Sequence, residues 1–243
     1  MTVGGRGSSP TRAIFFDVDF TLIFPGPTFQ GEGYVRFCAD EGLCVDGARF
    51  DAAVATASLI LDEVEEPIYE AALFVHYTAT IIEHMGGRGP GVIRAAERIY
   101  EQWAANHHFE MYDDVAPVLK TLAARGFILG VISNSHRSLD AFADHFKLDG
   151  LITTAVSSAE HGYMKPHRSI FETALAHAGV VPENSLMIGD SLKADIEGAL
   201  AAGMRAILLR RSGDVPASLP RGVGVIRSLA ELLDHAHVRK SVR

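Results

Sequence analysis

The stretch Ala13-Ile14-Phe15-Phe16-Asp17-Val18-Asp19-Phe20-Thr21-Leu22 runs four apolar residues straight into two carboxylates. The run is short, apolar and aromatic and follows a polar Gly/Ser/Pro-rich tail ending at Arg12, so it reads as a buried strand. In open α/β sheets, ligands bind beyond the carboxyl ends of strands. Side chains two apart on an extended segment point the same way, which lets Asp17 and Asp19 face one ligand. Carboxylates so crowded repel unless a cation or a shared proton intervenes. The competing reading is a capped turn, with the acids as loop formers and Thr21 as a backbone hydrogen-bonder.

Outward from this stretch the pattern changes twice. From Gly33 to about Phe109 it is helical, with little that could form a strand: helices are expected over Gly33–Glu41, Asp46–Glu65, Ile68–Met85 and Pro90–His107. Four helices with short joints suit a small bundle. The Gly86-Gly87-Arg88-Gly89 joint reads as a C-cap and turn, or as a joint that adapts to a ligand. Beyond it, strands and helices alternate: helix Asp114–Arg125, strand Phe127–Ile132, helix Ser138–His145, an apolar segment Gly150–Val156, helix Ser169–Ala178, strand Ser185–Ile188, helix Lys193–Ala202, strands Ala206–Leu209 and Val223–Ile226, and helix Leu229–His237. Such alternation argues βαβ units, a parallel sheet and helices on both faces. The expected fold is therefore α/β, a Rossmann-like doubly wound sheet formed by residues 11–24 and 110–238. Residues 25–109 form an inserted four-helix unit, and residues 1–10 a flexible tail.

The chain has 243 residues, 48% hydrophobic, with a net charge of −8. That charge makes nucleic acid a poor partner. No apolar run is long enough to span a bilayer and the first residues lack a signal-peptide core, so a cytoplasmic protein is expected. Cys38 and Cys44 are too few for a disulfide framework. His107-His108 and His235-Ala236-His237 lack the flanking pattern of a zinc site. Oligomeric state is not readable.

Chemistry collects at strand ends. Ser133-Asn134-Ser135 follows the strand ending at Ile132 and offers neutral donors for a phosphate oxygen; the alternative is an N-cap or turn. Lys165 is delivered by a loop to a helix start, a point charge for phosphate where a solvated surface lysine is the default. Gly189-Asp190-Ser191-Leu192-Lys193-Ala194-Asp195 adds two carboxylates at a third strand end, either as caps or as oxygen ligands of the kind Mg²⁺ requires.

Together these segments resemble the four motifs of the haloacid dehalogenase superfamily, in the order that family uses: DxDxT at Asp17, Asp19 and Thr21, the strand-end Ser133, Lys165, and GDxxxxD at Asp190 and Asp195. The inserted helices resemble the all-helical cap of its first subfamily. Phe20 departs from the family pattern, standing where many members carry Gly. The resemblance implies a Mg²⁺-dependent phosphatase in which Asp17 attacks phosphorus and becomes an aspartyl phosphate, while Asp19 protonates the leaving oxygen and then activates water. It implies Mg²⁺ held by Asp17, the Asp19 carbonyl and Asp190, with Thr21, Ser191 and Asp195 in support, and phosphate bound by Ser133, Lys165 and, more weakly, Asn134. The expected substrate is a small phosphate monoester such as a sugar phosphate, nucleotide or phosphoglycolate-like metabolite. Cap residues Phe29, Tyr34, Phe37, Tyr69, His76, Tyr77 and Arg88 are candidates to read the leaving group, or simply bundle core. The alternatives are a 2-haloacid dehalogenase, which needs no acid at Asp19, a phosphomutase, which keeps it, and a non-catalytic binding or regulatory protein on the same fold.

Overall fold

A computed structural model describes residues 10–238; the expected tail, apart from Pro10, lies outside the described residues. The stretch quoted above forms β1 (Ala13–Phe16), in which every residue is buried. β2 (Ile23–Pro25) follows. The helical segment comprises α1 (Gly31–Asp40), α2 (Phe50–Asp62), α3 (Ala71–His84) and α4 (Gly91–Trp103). β3 (Phe109–Met111) then pairs antiparallel with β2, so the chain enters and leaves the helical segment through one two-stranded stem. Next come α5 (Val115–Ala124), β4 (Ile128–Ser133), α6 (Leu139–His145), β5 (Ile152–Ser157) and a single turn, α7 (Ser158–His161). The chain ends with α8 (Arg168–Ala178), β6 (Ser185–Gly189), a π-helical turn Leu192–Glu197 running into α9 (Gly198–Ala201), β7 (Arg205–Leu209), β8 (Gly224–Ile226) and a 3-10 turn Leu229–Asp234.

Six strands make one parallel sheet in the order β5-β4-β1-β6-β7-β8. Strand side chains alternate between faces, and the core divides accordingly. Ile14, Phe16, Ile188 and Ile207 pack against α5 and α6, whereas Phe15, Met187 and Leu208 pack against α8 and α9. Burying one such side chain is worth about 1.5–3 kcal/mol. Gly130, opposite Phe15 in the β1–β4 pairing, leaves room for that ring: a Cβ there would lie 2.7 Å from it. The winding reverses at β1, which sits between β4 and β6. Loops after these three strands therefore meet at the switch point where such folds bind ligands.

Several local expectations are revised. The helix expected from Asp46 begins instead with Asp46 capping a 3-10 turn at Gly47–Arg49, its carboxylate accepting from the Ala48 amide. Ile68 is not helical but bridges Tyr163 of the loop before Lys165. The last helix of the segment, expected to reach His107, stops at Trp103, and Phe109 starts a strand where none was expected. Sequence periodicity missed β2 and β3 because a three-residue strand is too short to show one.

Candidate active site

Asp17 follows β1 directly, its amide donating to the Ile188 carbonyl of β6 at 2.9 Å. Its carboxylate is nearly buried and accepts from Lys165 Nζ at 2.6 Å. Lys165, 4% exposed, donates also to Asp195 Oδ1 at 2.6 Å and to the Ile132 carbonyl at 2.8 Å. One ammonium thus ties the ends of β1 and β4 to the π-helical turn after β6. Burial alone would lower the lysine pKa, but the two carboxylates outweigh it and hold the ammonium charged.

The four acids divide by surroundings. Asp17, Asp190 and Asp195 can each place one oxygen within 4.8 Å of the others. Burial raises the pKa of Asp17 against the pull of Lys165, and Asp195 and Asp190 raise it further. Asp190 is pushed up to about 7, first by burial and then by Asp195. Two buried carboxylates and the half-buried Asp190 facing one ammonium leave negative charge to be neutralised, an oxygen donor set suited to a hard divalent cation. Asp195 has both oxygens engaged, Oδ1 by Lys165 and Oδ2 by the Ser191 amide at 3.0 Å. Ser191 also caps the turn, accepting from the Ala194 amide, while the Ile196 amide reaches back five residues to the Ser191 carbonyl. That wider turn carries Asp195 back against Gly189, where any Cβ would overlap its carboxylate.

Asp19 stands apart from this cluster. Its Oδ1 accepts from Arg137 at 2.9 Å. Arg137, 1% exposed, lies over the Phe109 ring at 4.2 Å and donates to the Trp103 carbonyl at 2.9 Å. The sequence reading missed Arg137, although it lies four positions beyond Ser133. It also missed Arg211, which pairs with Asp114 and donates to the Thr21 carbonyl at 2.9 Å, pinning the loop after β1. The Thr21 hydroxyl itself lies 3.5 Å from Asp190 Oδ1.

Ser133 ends β4 buried and donates to Ser135 at 3.0 Å. The Asn134 side chain clamps the Lys165 loop: it donates to the Lys165 carbonyl at 2.9 Å and accepts from the Lys165 amide at 2.7 Å. Of the seven aromatic, histidine and arginine candidates on the helical segment, Tyr34, Tyr69 and Tyr77 line a cavity beside Asp19. The other four do not. Phe29 packs on Trp103 and Phe109, Phe37 lies under Arg98, His76 is exposed, and Arg88 donates to the Glu83 and Gly87 carbonyls.

Residues 69–209, more than half the chain, match the haloacid dehalogenase-like hydrolase family. The chain belongs to this family. The glyceraldehyde 3-phosphate phosphatase of Methanothermobacter thermautotrophicus is 38% identical over 82% of this chain and 85% of its own length. The N-acylneuraminate-9-phosphatase of Mus musculus is 28% identical over 93% and 94%. Among solved structures, a HAD phosphatase from Thermococcus onnurineus superposes with a TM-score of 0.65 at 22% identity, covering 92% of this chain and 97% of that one. A 2-haloacid dehalogenase from Pseudomonas syringae pv. Tomato does so at 0.60 and 24%, over 92% and 97%. A phosphatase and a dehalogenase thus share this fold, and the phosphatases among the sequence relatives decide between them: this family member is a hydrolase acting on phosphate monoesters. Among the described residues, no helix is long and apolar enough to cross a membrane.

Proposed function

We propose that the protein is a Mg²⁺-dependent phosphatase of small phosphorylated metabolites working through an aspartyl phosphate on Asp17. The observation that carries this reading is the single buried ammonium of Lys165 joining Asp17 to Asp195 beside Asp190, with Asp19 held separately by Arg137. Asp17 attacks phosphorus in line with the ester oxygen, whose bond to phosphorus breaks as Asp19 hands it a proton. Asp19, now ionised, takes a proton from water, and the resulting hydroxide attacks phosphorus, freeing Asp17 and inorganic phosphate. Ser133 and Lys165 hold the transferring phosphoryl oxygens, a role worth several kcal/mol when donors are already placed. Asn134 positions Lys165.

Mg²⁺ would be held by Asp17, Asp190 and the Asp19 main-chain carbonyl, with Asp195, Ser191 and Thr21 in support; it supplies charge that offsets repulsion between carboxylates and phosphate. The engagement of both Asp195 oxygens supports its secondary place. We assign residues 11–24 and 110–238 to the core and residues 25–109 to a cap that excludes water. A cytoplasmic setting fits two free cysteines.

The test compares wild type with Asp17→Asn on an aryl phosphate, with Mg²⁺ and with chelator. Turnover only by the wild type with Mg²⁺ is expected. Equal turnover by the variant would overturn the nucleophile, and phosphoryl transfer to a second hydroxyl instead of water would indicate a mutase.

A further inference from the structure

Two cavities meet at Phe20. One, of about 360 Å³, lies on the phosphate side, with Lys165, Asp190, Ser191 and Lys193 in its wall. The other, of about 200 Å³, runs from Asp19 into the helical segment and is walled by Tyr34, Tyr69, Phe74, Tyr77, Tyr100 and Trp103. Phe20, Phe74, Tyr77 and Asn134 border both, so a phosphate on the first side would direct its ester substituent into the second.

The chemistry of the second cavity is one-sided. Asp19 is its only charged side chain among the described residues, and no lysine or arginine lines it. Arg137 is turned away onto Asp19 and the Trp103 carbonyl. A carboxylate on the substituent would enter a wall that offers it no lysine or arginine to pair with, a burial that costs heavily. The rings also engage one another. Tyr69 packs on Phe74 with centroids 5.5 Å apart, Phe74 stacks on Tyr100 at 6.3 Å, and Tyr100 on His136 at 4.2 Å. Tyr69 and Tyr100 share a hydrogen bond between their hydroxyls, so neither hydroxyl is wholly free for a polyol. Faces occupied by neighbouring rings are less available to a cation, whereas exposed ring edges suit the face of another ring. An apolar cavity of about 150 Å³ is known to accept benzene, so this one has room for a ring with its linking carbon.

Phe20 strengthens the reading. It is 47% exposed and has φ +63°, in the left-handed region where side chains cost about 1–2 kcal/mol that glycine avoids. A large apolar ring kept at that backbone position borders both cavities.

Resting on the phosphatase reading above, we propose that this enzyme selects phosphate monoesters whose alcohol carries an uncharged, flat, ring-sized apolar group. It discriminates against alcohols bearing a carboxylate.

The experiment measures kcat/KM of the full chain with Mg²⁺ on benzyl phosphate, glycerol 3-phosphate, phosphoglycolate and phosphocholine. All are phosphates of primary alkyl alcohols, so the intrinsic reactivity of a phenol plays no part. Benzyl phosphate is expected to exceed glycerol 3-phosphate by about 10-fold or more and phosphoglycolate by about 100-fold, the range that pocket contacts and an unpaired buried charge supply. Phe20→Gly relieves the backbone and is expected to lower the benzyl-to-glycerol ratio by about 5-fold or more. A nitrophenyl phosphate control separates the two levels of failure. Turnover of the control with glycerol 3-phosphate, phosphoglycolate or phosphocholine equal to or above benzyl phosphate overturns the selectivity alone. No turnover of any ester, including the control, overturns the phosphatase reading beneath it.

Discussion

At the scale of residues, Asp19 is gripped by a guanidinium outside the aspartate motif. Arg137 is wholly buried, stacked on Phe109 and anchored to the Trp103 carbonyl, so its forked head can place the Asp19 carboxylate in one orientation. Arg137→Lys keeps the charge but loses the fork. Alkyl phosphates depend on proton donation to the leaving oxygen more than nitrophenyl phosphate does. The substitution is therefore expected to lower kcat about 10- to 100-fold on an alkyl phosphate and much less on nitrophenyl phosphate. A uniform loss on both substrates in steady-state assays would reduce Arg137 to a structural role. Asp17, Lys165 and Asp190 were legible because each follows a strand or loop whose place at the sheet edge is set by alternation of strand and helix. Arg137 was not, because its partner lies 118 positions away and neither residue's neighbours announce the pairing. The clamp by Asn134 was hidden for a related reason: its partner is the main chain of Lys165, 31 positions away.

At the scale of elements, the turn after β6 links local winding to the site. A helix expected from Lys193 to Ala202 is interrupted at its start by the π-helical turn Leu192–Glu197, which sequence periodicity cannot distinguish from an α-turn. The wider turn brings Asp195 against Gly189 and onto Lys165. Gly189→Ala is expected to destabilise the protein by about 1–3 kcal/mol, the cost of overpacking. Displacing Asp195 from Lys165 should lower activity with it. Denaturant unfolding and nitrophenyl phosphate turnover measured on the same samples check this; a variant as stable as wild type would mean the turn yields easily. The larger elements were readable from the sequence, since six short apolar segments alternating with amphipathic ones leave little choice but a parallel sheet. Element ends were less readable where contacts outrank propensity, as at Ile68, which the bridge to Tyr163 draws out of the helix.

At the scale of the whole molecule, the raised carboxyl groups tie stability to pH. Burial, with its acidic neighbours, raises the pKa of Asp17, and burial followed by Asp195 raises Asp190 to about 7. A carboxyl whose pKa is raised by folding stabilises the native state while neutral; that contribution is complete below about pH 4 and is lost as pH rises through about 7. Thermal melts in chelator should therefore fall between about pH 5 and about pH 8, and Mg²⁺ should restore more stability at the upper end, where fewer protons compete. Asp190→Asn should raise the chelated Tm near pH 8 by roughly 3 °C and abolish the Mg²⁺ response. A chelated Tm that climbs with pH would contradict the raised pKa values. The β2–β3 stem has a different consequence. Pro25 pairs with Phe109 and the Gly26 amide donates to the His108 carbonyl, so the chain leaves and rejoins the sheet as the two arms of one hairpin, and the segment between touches the sheet side again at Ile68–Tyr163 and Trp103–Arg137. Closure entropy rises only with the logarithm of loop length, about 0.6 kcal/mol per doubling. The helical segment can thus change in length at little entropic cost, so long as Trp103 and Phe109 stay in place to hold Arg137 against Asp19.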